Sequence, residues 1–93
     1  MWDVFEHRRV ARQLKDAPKE VLKRYEKWKD IVGFSGPSGL RKIKEFHDES
    51  LRGEWKKYRS SRLGLQYRVI YKTLKDRAMI QVVNLSPHDC RKK

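Results

Sequence analysis

Residues 54–86 hold three runs, "EWKKYRSSRL", "LQYRVIYKTL" and "AMIQVVNLS", joined only by Leu63-Gly64 and by Lys75-Asp76-Arg77. Connections that short leave no room for a crossover helix, so the runs must pair as antiparallel hairpins. In the middle run successive side chains alternate between faces. Leu65, Tyr67, Val69 and Tyr71 line one side, and Gln66, Arg68, Ile70 and Lys72 the other. A permanent charge at Arg68, in the centre of an otherwise apolar half-strand, then requires its face to stay open.

The residues before these runs supply a cover for the opposite face. "WDVFEH" places Trp2, Val4 and Phe5 in a short apolar patch that suits a strand. "RRVARQLKDA" spaces Val10, Ala11 and Leu14 at helical intervals, and Asp16 before Pro18 marks a break. Pro18 fits the first turn of a second helix, with Asp16 or Ala17 near its cap. Val21, Leu22, Tyr25, Trp28 and Val32 draw one stripe along that helix, opposite Lys23, Lys27 and Asp30. The two segments predict a helical hairpin. "GFSGPSGL", residues 33–40, reads as a loop that ends it, too short to be a domain linker. Leu40, Ile43 and Phe46 leave open a short helix or an irregular packed segment. No internal repeat is present. The order strand, two helices, three strands predicts an α+β fold, β-α-α-β-β-β, with the helical hairpin packed on one face of an antiparallel sheet.

At 93 residues the chain makes a single domain, 1–93, with a thin core. Three tryptophans and seven other aromatics give enough large side chains to fill it. The single cysteine, Cys90, excludes an internal disulfide, and no apolar run approaches the ~20 residues needed to cross a bilayer. With no signal-peptide pattern at the start, a reducing cytoplasm is the expected location. The net charge is +12 and uneven. Residues 1–51 carry 12 basic and 9 acidic side chains, whereas residues 52–72 carry 7 basic and 1 acidic. Such a basic block concentrates polyanions and speeds encounters with them, which points to nucleic acid or the ribosome as partner.

Arg59, Arg62, Lys56 and Lys57 precede the Arg68 run by one strand, so whichever parity faces outward, cations join Arg68 there. Guanidinium groups suit phosphodiesters because the planar fork donates two hydrogen bonds to phosphate oxygens. In a reaction they would stabilise a pentavalent phosphorane dianion. The tail "NLSPHDCRKK" adds His88, Asp89 and Cys90 after the last strand, with His88 able to move a proton near neutral pH. "FHDE" raises the same question for His47 and Glu49, ahead of the basic block. The three histidines and one cysteine show no ligand spacing for zinc, and no phosphate-binding glycine loop or dinucleotide fingerprint is present. No metal or cofactor is expected. A thiol nucleophile at Cys90 is disfavoured, because neighbours on a turn rarely face each other.

"GEWKKYRSSRLGLQYRVIYKT", followed one strand later by "NLSPHD", resembles the RelE/ParE superfamily of toxins from bacterial type II toxin–antitoxin operons, nearest its RNA-cutting RelE and HigB branches. The aromatic-Arg-apolar-apolar-Tyr pattern of "YRVIY" carries the resemblance most specifically, and it extends over most of the chain. It implies a ribosome-dependent endoribonuclease that enters the A site and cleaves mRNA by activating a ribose 2'-hydroxyl against the adjacent phosphate. It also implies a neutralising antitoxin, often with a DNA-binding part, that covers the basic groove. By this resemblance Arg68 holds the scissile phosphate, Arg59 and Arg62 add electrostatic stabilisation, and Lys56, Lys57 and Arg91 help anchor RNA. His88 and Asp89 handle protons. The family usually places an aromatic, most often tyrosine, where this chain has Cys90. Cysteine cannot stack on a base, an interaction worth roughly 1 to 3 kcal/mol, so activity slowed about tenfold to a hundredfold is expected. Two other readings share the charge pattern: a ParE-like gyrase inhibitor, and a nucleic-acid-binding module without catalysis.

Overall fold

The computed structural model describes residues 1–64 and 66–87. Strand β1, Asp3–Glu6, leads into helix α1, Arg8–Lys15, and helix α2, Lys19–Ser35. A one-turn helix α3, Pro37–Arg41, and a two-residue strand β2, Glu49–Ser50, precede the meander β3 (Tyr58–Gly64), β4 (Tyr67–Leu74) and β5 (Met79–Pro87). Pro18 takes the N-cap position of α2 itself, in extended backbone that cannot continue α1. The His7 ring caps α1 by accepting from the Arg9 amide at 3.1 Å.

The sheet order is β1-β5-β4-β3-β2. Within it β3, β4 and β5 are antiparallel neighbours, as their short connections dictate. Strand β1 runs parallel to β5, with Asp3 opposite Met79 and Glu6 opposite Val82, so the sheet is mixed rather than wholly antiparallel. The intervening helices supply the long connection that a parallel pair needs. Beyond Val82, α1 takes over the edge of β5, where the Gln13 side chain accepts from the Leu85 amide at 2.7 Å and donates to Asn84 Oδ1 at 2.8 Å.

The expected loop at 33–40 is instead the end of α2 and all but the last residue of α3. Gly36 makes the break with φ +73, and Pro37 starts the next helix at its first turn. A Cβ at position 36 would lie 2.5 Å from Trp2 Nε1, so the close approach of β1 also needs glycine there. Downstream, Leu40 and Phe46 are both buried, the latter in a 3-10 turn at Lys44–Phe46. Trp55 belongs to another 3-10 turn and β3 begins only at Tyr58.

The α2 stripe forms the core as its spacing predicts. Val21, Tyr25, Trp28 and Val32 meet Leu63, Val69, Tyr71, Ile80, Val82 and Leu85 from the sheet. The Trp28 ring stacks on Tyr25 at 5.7 Å and meets Tyr71 edge-on at 5.3 Å. Its Nε1 donates to Ser61 Oγ at 3.0 Å, which satisfies the one polar atom the indole carries inside. Tyr71, Val69 and Ser61 therefore lie under the helices, and Arg68 falls at the alternate position.

Candidate functional site

The β3–β4 register sets Arg62 directly opposite Arg68. Paired strand residues have Cα atoms about 5 Å apart, so the two guanidinium groups share one region of space. The pairing then shifts between Arg62 and Gly64, which buries Leu63 and brings Gly64 opposite Tyr67. Gly64 has φ +85, and the Arg24 Nε of α2 lies 3.1 Å from where a Cβ would stand. The missing side chain is what lets Arg24 pass over the hairpin end.

A cavity of about 440 Å³ results, lined by Arg24, Arg62 and Arg68 with Tyr67, Gln66 and Glu45. It lies where helix, 3-10 turn and hairpin end meet, and is not confined to a bare sheet face. Arg68 and Arg24 are half-buried and Arg62 is exposed. Among the described residues none of these three arginines forms an ion pair, and Glu45 pairs with Lys27 at 3.8 Å. Three like charges around one concavity repel each other until an anion enters, and a phosphate would accept from all three.

The other sequence-predicted cations fall elsewhere. Arg59 pairs with Tyr71 in register and so lies on the helix-covered face, not beside Arg68. Its Nε donates to Asp48 Oδ2 at 2.8 Å, and the Asp48 side chain is fully buried. Asp48 also accepts from Ser61 Oγ at 2.8 Å and from the Tyr71 hydroxyl. Burial, then the bond to Asp48, raises the Tyr71 phenol well above its ordinary pKa. Arg59 thus belongs to a buried structural network. Lys56 and Lys57 are exposed at the start of β3, seven residues long, which sets them about 20 Å from the Arg62 end. His88, Asp89, Cys90 and Arg91 lie outside the described residues. The last described residue, Pro87, is opposite Tyr67, and Ser86 is opposite Arg68. In the "FHDE" stretch His47 has φ +44 and sits 3.6 Å from Glu49 at the surface. The residue with the decisive contacts is the unmarked Asp48 between them.

Arg24 is the site residue that sequence reasoning missed. It flanks the α2 stripe one position before Tyr25, and only the placement of the hairpin end against the helix gives it a role. Among the described residues no group of three histidine, cysteine, aspartate or glutamate side chains could hold a metal ion. No helix among them is long and apolar enough to cross a membrane.

No protein-family model and no curated protein matches the chain. Solved structures do. A chain of the archaeal RelE–RelB complex from Pyrococcus horikoshii OT3 is 28% identical with a TM-score of 0.75, over 94% of each chain. YafQ from E. coli strain BL21(DE3) has a TM-score of 0.70 at 12% identity over 100% of both chains. The toxin–antitoxin complex RelBE2 from Mycobacterium tuberculosis matches with a TM-score of 0.65 at 19% identity, over 92% of this chain and 96% of that one. At 12% and 19% identity the last two speak to the fold alone. Taken with the "YRVIY" strand and the element order that carries it, these likenesses give the chain a RelE-like α+β fold whose structural neighbours are toxins of the RelE family.

Proposed function

We propose that residues 1–93 form a single RelE-like toxin of a toxin–antitoxin module, acting as a ribosome-dependent endoribonuclease in the cytoplasm. The observation that carries this reading is the convergence of Arg24, Arg62 and Arg68 on one cavity. A phosphodiester seated there would have its non-bridging oxygens bound by guanidinium forks. When the ribose 2'-hydroxyl attacks the adjacent phosphorus, the bond to the 5'-oxygen breaks and negative charge grows on those oxygens. Fixed donors stabilise that charge more than the ground state, and removing one such donor slows catalysis about 10²- to 10³-fold. His88 and Asp89 are assigned the proton transfers, accepting from the 2'-hydroxyl and donating to the leaving oxygen. Cys90 replaces the stacking aromatic and holds the rate down. Lys56, Lys57 and Arg91 bind RNA by charge, and Arg59 supports the fold through Asp48.

An antitoxin partner follows from the same reading, since the similar chains from Pyrococcus and Mycobacterium come from complexes of that kind. An acidic segment laid over the Arg24–Arg62–Arg68 cavity would neutralise it.

Induced expression followed by mapping of mRNA ends tests the reading. New ends that vanish when translation is blocked, and that Arg68→Ala abolishes, are the expected result. Growth arrest with intact mRNA and a DNA-damage response would transfer the assignment to gyrase inhibition. RNA binding without new ends would leave a non-catalytic module.

A further inference from the structure

Strand β5 changes the face it shows partway along. Ile80 and Val82 are both buried, at the spacing of two that a strand gives to one face, but the next buried residue is Leu85. The register accounts for the odd step: Tyr71 pairs with Val82 and Ile70 with Asn84, so Val83 is an extra residue that bulges from the ladder. The bulge turns Asn84 and Ser86 onto the face that carries Arg68. Ser86 stands opposite Arg68, and Arg68 stands opposite Arg62, so the three form one row across three strands. Facing side chains in such a row have Cβ atoms about 5 Å apart.

The direction of the hydrogen bonds beside this row is fixed from a backbone amide. The Leu85 N–H can only donate, so the Gln13 atom it meets at 2.7 Å is the acceptor Oε1. Gln13 Nε2 is then the donor to Asn84 Oδ1 at 2.8 Å, and Asn84 Nδ2 donates in turn to Ser86 Oγ at 2.9 Å. Ser86 is left accepting. Among the described residues its own hydroxyl proton has no acceptor, and a bond to Asn84 made in the reverse sense would use that proton up.

From this we infer that Ser86 is a further substrate-contacting residue, donating its hydroxyl to a non-bridging oxygen of the phosphodiester held by Arg62 and Arg68, and that Gln13 and Asn84 are positioning residues that keep this donor free. The inference rests on the nuclease reading and adds a neutral donor to its cations. Ser86 is half-buried and flanks the arginine cavity without being part of its lining, so the substrate meets it along the open face. No proton leaves Ser86. Its hydrogen bond strengthens as negative charge grows on the phosphate oxygen, so its effect falls on the chemical step more than on binding.

The test is single-turnover cleavage of mRNA on purified ribosomes at saturating protein, with a melting curve for every variant. Ser86→Ala should cleave about tenfold to hundredfold more slowly, as expected for loss of one hydrogen bond to a charged group, with ribosome affinity unchanged. Ser86→Thr should restore the rate. Gln13→Glu separates positioning from structure: its carboxylate still accepts from the Leu85 N–H but offers Asn84 no donor, so the Asn84 amide turns and presents Oδ1 to Ser86. The serine hydroxyl then donates to Asn84, and cleavage should slow as in Ser86→Ala while the melt is kept. Added to Ser86→Ala, the same change should have no further effect. Ser86→Ala at the wild-type rate beside a slow Arg68→Ala overturns the inference and leaves the nuclease reading intact. Gln13→Glu at the wild-type rate overturns the relay whether or not Ser86→Ala folds, as does an equal loss from Gln13→Glu with and without the serine. A wild-type protein that leaves mRNA uncut on ribosomes overturns both readings.

Discussion

Asp48 takes three donors on two carboxylate oxygens and is sealed from water, so its neighbours depend on it. Replacing it with alanine strands the Arg59 guanidinium, whose side chain is 22% exposed, together with two hydroxyls. Removing one partner of a buried pair costs about 3 to 5 kcal/mol. Asp48→Ala is therefore expected to lower the urea midpoint sharply or to prevent folding, and a midpoint within error of the wild type would contradict the network. Gly64 makes a different kind of contribution, through φ +85 and the passage of Arg24. Gly64→Ala should destabilise by about 1 to 2 kcal/mol from backbone strain and also displace Arg24, weakening phosphate binding beyond the stability effect. Neither residue announces this in the sequence. An aspartate inside "FHDE" reads as one polar residue among several, because burial is conferred by strands that arrive from elsewhere in the chain.

Elements were legible to the degree that their signal is local. The α2 stripe from Val21 to Val32 and the alternation through Tyr67, Val69 and Tyr71 each report their own periodicity, and both occupy the core. The parallel pairing of β1 with β5 joins segments some 75 residues apart and has no local signature. Residues 33–40 show the reverse error: glycine and proline there mark a break between two helices, not the absence of helix. Gly36→Ala is expected to be more disruptive than an exposed glycine change, since it adds strain at φ +73 and a clash with the Trp2 indole. The intrinsic fluorescence of the tryptophans and a thermal melt would register both, and an unshifted melt would sink this account of the α2–α3 corner. For the site, the pattern of β3 and β4 said only that cations of one parity join Arg68, and the register selects Arg62 among them. The pattern did not give Arg24, and Arg59, named by the resemblance, pairs with Tyr71 on the helix-covered face instead.

Across the whole molecule the charge of +12 is partitioned rather than diffuse. One basin carries arginines around a hairpin end, and a second carries mainly lysines at the far end of the same strand. The core beneath them has its own titration signature. Burial, then bonds to Glu6 and Asp48 respectively, raises the phenols of Tyr25 and Tyr71 above the ordinary value of 10.0. Folding favours the neutral phenol, so this contribution is complete below about pH 10 and is lost as pH rises through the folded pKa. Native protein near pH 11 should show less phenolate absorbance than the same protein in denaturant, and equal absorbance while the fold persists would contradict the burial of both rings. The central claim, that the Arg24–Arg62–Arg68 cavity stabilises a phosphoryl transition state, is tested most directly by single-turnover cleavage of mRNA on purified ribosomes at saturating protein. The account predicts that Arg68→Ala, folded and bound, cleaves about 10²- to 10³-fold more slowly than the wild type; cleavage by the variant at the wild-type rate would contradict it.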